Sequence, residues 1–284
     1  MLRPERKTFA LPGGCAVADG ACHRDARLRA LTGYDEEWAA SLPASTPQAM
    51  FVTGLLSRVL LGVGPLPGSR SLVRSLLVGD REYLLLQLGQ ISIGSNIDMI
   101  LPCPREDCRT EMEVAVAIDS IPVKRCDSRM CYELAGTNIV FRLPQGVDEE
   151  EAAHWESINA ETALRRMLAR CVVAPGEAHT LLEDPEIRQR LAAEIERLSP
   201  QLDCEIQASC PKCGETFVTQ LDPVAWIAAE LSRGQSAYER DLHLLGFHYH
   251  WPLRELLSLS REQRGRYVSM LQRELQQQRQ FATD

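Results

Sequence analysis

Asp19-Gly20 is a two-residue turn signal between Cys15-Ala16-Val17-Ala18 and the stretch 22–28, which predicts a β-hairpin with its flanks over residues 8–30. A helix opens at 32–38, with Thr32 or Asp35 as N-cap and acidic residues in its first turn, where they suit the helix dipole. Pro43 and Pro47 bracket a break. Met50, Phe51, Leu55, Val59 and Leu60 then recur near helical spacing and predict an apolar helix over 48–62. Residues 65–68 form a loop. A short helix over 71–78 stops at Gly79, and Asp80 caps another over 81–88 that carries Tyr83, Leu84, Leu86 and Leu88.

At residue 91 the period changes to two. Ile91, Ile93, Ile97, Met99 and Leu101 predict one strand, bent at Gly94-Ser95-Asn96, and Met112, Val114, Val116 and Ile118 predict a second. A third covers 137–143 with Ile139, Phe141 and Leu143. An acidic helix start at 148–151 leads into helix as far as 170, broken near Asn159, and 184–198 is amphipathic. Strand character returns at 202–208 and 216–221. Helices follow over 223–233, 238–246, 252–259 and 262–276, with start signals at Asp222-Pro223 and at Ser260 with Gln263. The Gln-rich tail frays. There is no solenoid-type repeat and no long low-complexity linker.

These elements predict an α+β fold. A hairpin and helical cluster occupy 1–90. An antiparallel sheet bearing a split zinc ribbon covers 91–147 and 199–222, with 148–198 as a helical insertion, and a helical region covers 223–284. Hydrophobic residues make up 45% and charged residues 25% of the 284, which excludes whole-chain disorder. The net charge of -8 disfavours a protein whose task is to coat phosphate backbones, and 6% aromatics weakens a base-stacking role. No stretch reaches the ~20 uninterrupted apolar residues that span a bilayer. The basic N-terminus lacks the apolar run of a signal peptide, so the expected site of action is the cytosol, or beyond it by a route without a signal.

Ten cysteines remain to be explained. Cys103-Pro-Arg-Glu-Asp-Cys108 and Cys210-Pro-Lys-Cys213-Gly214 each put two thiols on a turn between predicted strands. Two such turns facing each other would supply a four-thiolate zinc site, and Pro after the first Cys with Gly after the last lets amide N–H groups curl toward sulfur. Unligated turn cysteines and a redox dithiol are the competing readings. A redox Cys-x-x-Cys opens a helix after a strand, whereas a strand follows here. Four protein ligands close the coordination shell, so the metal would be structural and the protein no metal-dependent catalyst. Cys126 and Cys131 form another four-spaced pair, able to supply a second metal site, replace the first pair, or oxidise. Cys204 reads as packed in the sheet, and Cys15, Cys22 and Cys171 as small buried apolar groups. Cys15 and Cys22 can face each other across the hairpin. Phe247, His248, Tyr249, His250 and Trp251 form the densest aromatic cluster. An extended backbone would put both His on one face as ligands, but a hinge or contact surface between helices is the stronger reading. No nucleophile elbow, P-loop or dinucleotide fingerprint is present.

The order of several short boxes resembles the T-even phage-type baseplate hub assembly chaperone family of contractile phage tails and contractile injection systems. The boxes are Ala18-Asp19-Gly20 with His23-Arg24-Asp25, Leu28-Arg29-Ala30-Leu31-Thr32-Gly33, Leu77-Val78-Gly79-Asp80-Arg81-Glu82-Tyr83-Leu84-Leu85, the strand into Cys103, Cys210-Pro211-Lys212-Cys213-Gly214, Leu221-Asp222-Pro223, and Phe247 to Trp251. They extend over roughly 15–270, and 119–135 fits none of them. The resemblance implies a non-enzymatic assembly factor without a small-molecule substrate. Its partners would be hub, spike or tail-tube proteins, met in the producing cell or in the particle. Helix 81–88 with Tyr83 and the cluster around Trp251 would be its contact surfaces. A zinc-ribbon nucleic-acid adaptor is the alternative and needs a basic face; a zinc hydrolase needs an open coordination position.

Overall fold

The computed structural model describes residues 4–17, 20–127, 129–156, 159–176 and 178–281. Strands β1 (Arg6–Ala16) and β2 (Cys22–Arg29) form the expected hairpin, with an irregularity between Ala10 and Cys15 where Gly14 takes φ +84°. Ala18 and Asp19 of the expected turn lie outside the described residues. Helix α1 (Gly33–Ala40) starts at Thr32, whose N–H and hydroxyl both donate to Asp35. Helix α2 (Gln48–Val59) ends three residues short of its expected end. Leu60 leaves it to pair with Leu28, so β3 (Leu60–Val63) buries Leu60 and Val63 in the sheet, followed by β4 (Leu66–Pro67).

After α3 (Arg70–Ser75), helix α4 (Val78–Ser92) corrects two expectations. Asp80 does not cap it; N-cap Leu77 precedes Val78. The Asp80 carboxylate instead accepts the N–H groups of Gly13 and Gly14 at 2.7 and 2.9 Å, tying α4 to β1. The helix also runs on through Ile91, because it is buried along nearly its whole length. A Cβ at Gly89 would sit 2.1 Å from the Trp226 ring. Within the expected contact helix 81–88, Tyr83 is half-buried against the main core.

Hairpin β5 (Asn96–Pro102) and β6 (Glu111–Ala117) follows, then a 3-10 turn at 118–120 and β7 (Val123–Lys124). Strands β8 (Tyr132–Glu133) and β9 (Val140–Phe141) precede α5 (Gly146–Glu156) and α6 (Ala160–Cys171), which Asn159 caps. Next come β10 (Val172–Ala174), α7 (Ala178–Leu181), α8 (Pro185–Leu198), β11 (Gln201–Leu202), β12 (Glu205–Ser209) and β13 (Thr216–Gln220). The expected helices at 223–233 and 238–246 are one helix, α9 (Pro223–Tyr249), started by Asp222, whose side chain accepts the N–H groups of Val224 and Ala225. Helices α10 (Leu253–Ser258) and α11 (Arg261–Phe281) complete the order, the latter opened by reciprocal bonds between Ser260 and Gln263. No helix among the described residues is long and apolar enough to cross a membrane.

The mixed helix and antiparallel-strand class is as expected, but one sheet does not carry both cysteine turns. Among the described residues, β5–β6 and β12–β13 are separate two-stranded ladders. The predicted strand over 137–143 shrinks to β9 and lies between β8 and β10.

A shorter repetition than any solenoid underlies the rest. Two strands, a turn, two helices and a return strand beside the second strand occur twice, as β1-β2-α1-α2-β3 and β8-β9-α5-α6-β10. Each turn has the sequence Arg-x-x-x-Gly-x-Asp-Glu-Glu, at 29–37 and 142–150. Arg29 makes two bonds to Asp35, and Arg142 makes two to Asp148. The turns dock on like structures: Gln145 bridges Leu77 at the head of α4, and Thr32 bridges Ser260 at the head of α11. Four residues into those helices, buried Arg81 meets Glu149 and buried Arg264 meets Glu36. Each copy therefore closes on a helix pair from elsewhere in the chain, the first on α10–α11 and the second on α3–α4.

Candidate metal centre

Both hairpins end in cysteine turns, and the tips meet. The Sγ atoms of Cys103, Cys108, Cys210 and Cys213 all lie within 4.8 Å of one another. Cys103 and Cys213 are 3.6 Å apart, and Cys108 and Cys210 are 3.8 Å apart. A tetrahedron with metal–sulfur bonds of about 2.3 Å has an edge of about 3.8 Å, which these two sulfur pairs match, so the four sulfurs are close enough together to hold one metal ion. Cys103 and Cys210 are buried and the other two half-buried. A small apolar cluster of Met112 with Leu101, Val114 and Phe217 closes over them, apart from the main core.

Local backbone chemistry builds each knuckle. Cys103 N–H donates to Thr110 O, and Cys210 N–H to Glu215 O. The chain then turns through a left-handed residue immediately after the second Cys, Gly214 at φ +74° in one tip and Arg109 at φ +45° in the other. Glycine adopts this conformation without strain; arginine does so at a cost. Amide N–H groups of Arg105, Thr110, Lys212, Cys213 and Glu215 point at the sulfurs, the arrangement that offsets thiolate charge around a metal. Burial pushes the Cys103 thiol up to about 12, while the Thr110 hydroxyl and N–H pull Cys108 down to about 6. Four thiols this close ionise together only around a cation. The donor set is all sulfur and complete at four.

The other predicted residues lie elsewhere. Cys126 is half-buried, its N–H bonded to Pro12 O and its carbonyl to Arg24; Cys131 is exposed. Neither belongs to the four-sulfur group. Cys204 and Cys171 are buried, as are Cys15 and, in part, Cys22, which stand opposite His23 and Ala16 in the first hairpin. The aromatic cluster is not extended. Phe247, His248 and Tyr249 form the last turn of α9, and His250 ends it at φ +54°, which separates the two His from a shared strand face. Tyr249 stacks on Trp251 at 5.3 Å, and Trp251 meets Tyr267 edge-on at 4.9 Å. Phe247 remains 65% exposed, stacked on His243.

Reading single motifs overlooks the paired turns. Asp35 and Asp148 are both fully buried. Burial would raise the Asp148 carboxyl, but its bonds from Arg142, the Gln145 N–H and Arg170 hold it below the usual carboxylate range. The signal that finds them is the alignment of Gly-Tyr-Asp-Glu-Glu-Trp-Ala-Ala with Gly-Val-Asp-Glu-Glu-Glu-Ala-Ala.

A family model described as T4 bacteriophage base plate protein matches residues 65–225, more than half of the chain. The match begins just before α3, contains both cysteine turns and ends in the first turn of α9. No curated protein and no solved structure matches the chain.

Proposed function

The chain belongs to the T4 bacteriophage base plate protein family, and from that baseplate-related structural role we propose that it is an assembly factor for the baseplate hub of a contractile phage tail or injection system, clasped by one structural zinc. The family match carries the reading. The closed sulfur set supports a scaffold: four thiolates leave no metal position for water or substrate. Cys103, Cys108, Cys210 and Cys213 hold the ion in this proposal. Exposed Phe247 with His243 and His248 offers an aromatic contact on a packed base of Tyr249, Trp251 and Tyr267, which suits capture of hub, spike or tail-tube surfaces. The nucleic-acid adaptor is not favoured, because the chain carries a net charge of -8 and the Arg105, Arg109 and Lys212 of the tips are outnumbered by Glu106, Asp107, Glu111, Glu113 and Glu215.

Freshly purified protein should contain about one zinc per chain by elemental analysis. Co-expressed with the hub, spike and tube proteins of its own genome, it should co-purify with at least one of them, and Phe247→Ala should weaken that recovery. Metal-free protein that co-purifies with none of the three would refute the proposal.

A further inference from the structure

The two copies of the strand–helix set differ in one respect. Counted from the turn glycines Gly33 and Gly146, Phe51 and Leu164 fall at the same position on the second helix of each copy. Ala39 and Ala40 of α1 likewise match Ala152 and Ala153 of α5. In the first copy the seam between these helices is walled by α9, whose Val224, Ala228 and Leu231 face it with Phe51 and enclose about 300 Å³. In the second copy the corresponding wall is α2. It packs on α5 and leads to the pair α3–α4, as α9 packs on α1 and leads to α10–α11. Helix α2, however, begins only at Gln48, after the Pro43–Pro47 break, whereas α9 runs for 27 residues. The stretch matching the N-terminal half of α9 is missing. What it would cover is a groove of about 780 Å³, floored by Ala152, Ala153, Ala163 and Met167, with Leu164 40% exposed.

We propose that this groove is the docking site for a helix of a separate protein, one presenting a stripe of small and branched apolar residues spaced four and three apart, as Val224, Ala228 and Leu231 are on α9. The molecule itself shows what fills such a seam. A floor of alanines lets a helix approach closely, and the stripe supplies the side chains that replace α9. A second copy of this chain is not the occupant, because its matching stripe is already buried: Val224 is 9% and Leu231 7% exposed. The identity of the partner as a baseplate protein rests on the assembly reading above; the groove itself does not.

The probe is a synthetic peptide of residues 223–240, acetylated, amidated and fluorescently labelled, titrated into the full-length zinc-loaded protein. Saturable binding is expected, about tenfold weaker for Leu164→Asp, which sits at the surface and should leave melting temperature and zinc content unchanged. Absence of saturable binding, or equal binding by Leu164→Asp, overturns the proposal. So does concentration-dependent self-association that Leu164→Asp abolishes, since the occupant would then be another copy. No hub, spike or tube protein is present in this experiment, so its failure is separable from a failure to co-purify with one of them.

Discussion

The glycine turns and the cysteine tips solve one problem in different ways. Each must hold together segments far apart in sequence. At the turns, Asp35 and Asp148 are buried among arginine and backbone donors beside the two larger apolar cores. At the tips, two separate hairpins whose bases pack on the main core share only a small cluster centred on Cys103, Met112 and Cys210. A two-stranded hairpin is marginal in water, so the proposed ion would cross-link the tips where the turns rely on charge pairing beside larger cores.

Removing the metal tests that contrast most severely. With chelator or Cys213→Ser, amides at the tip ends of β5, β6, β12 and β13 should lose hydrogen-exchange protection by more than about 5 kcal/mol, while those of α4 stay protected. Tips that remain protected without metal would erase the distinction. Asp148→Ala attacks the other side. It leaves Arg142 and the Gln145 N–H without their buried acceptor and should cost about 3 kcal/mol in denaturant unfolding, with zinc content intact. A cost under about 1 kcal/mol would mean that packing alone holds the turn.

The smallest effect concerns Glu82, beside the second turn on α4. Burial, with Glu149 and Asp222 nearby, raises its carboxyl from 4.5 to about 7. The folded state therefore holds this proton longer than the unfolded chain does. That favours folding below about pH 4.5, and the advantage is lost as pH rises to about 7. Glu82→Gln should thus stabilise the protein by about 2 kcal/mol at pH 8 and by almost nothing at pH 4.5. Equal effects at both would show that Glu82 does not titrate with folding.

What could be read from the chain follows how local each feature is. The Ser260–Gln263 cap, the Asp222-Pro223 start and the Cys-Pro turns are written within a few residues, and each forms as expected. The end of α2, the extension of α4 past Ile91 and the division of the ribbon into two hairpins depend on distant partners: Leu28 for Leu60, Trp226 for Gly89, the opposite tip for each cysteine pair. Local period cannot name such partners. The repeated turn lies between these cases, since it is visible in the residues but only when 29–37 and 142–150 are set side by side.

The crossed docking of the turns has a consequence for biosynthesis. Gln145 emerges from the ribosome after its partner Leu77 and can settle at once. Thr32 must wait for Ser260, so the copy made first is the later of the two to close, and its seat stays open through the synthesis of the second copy.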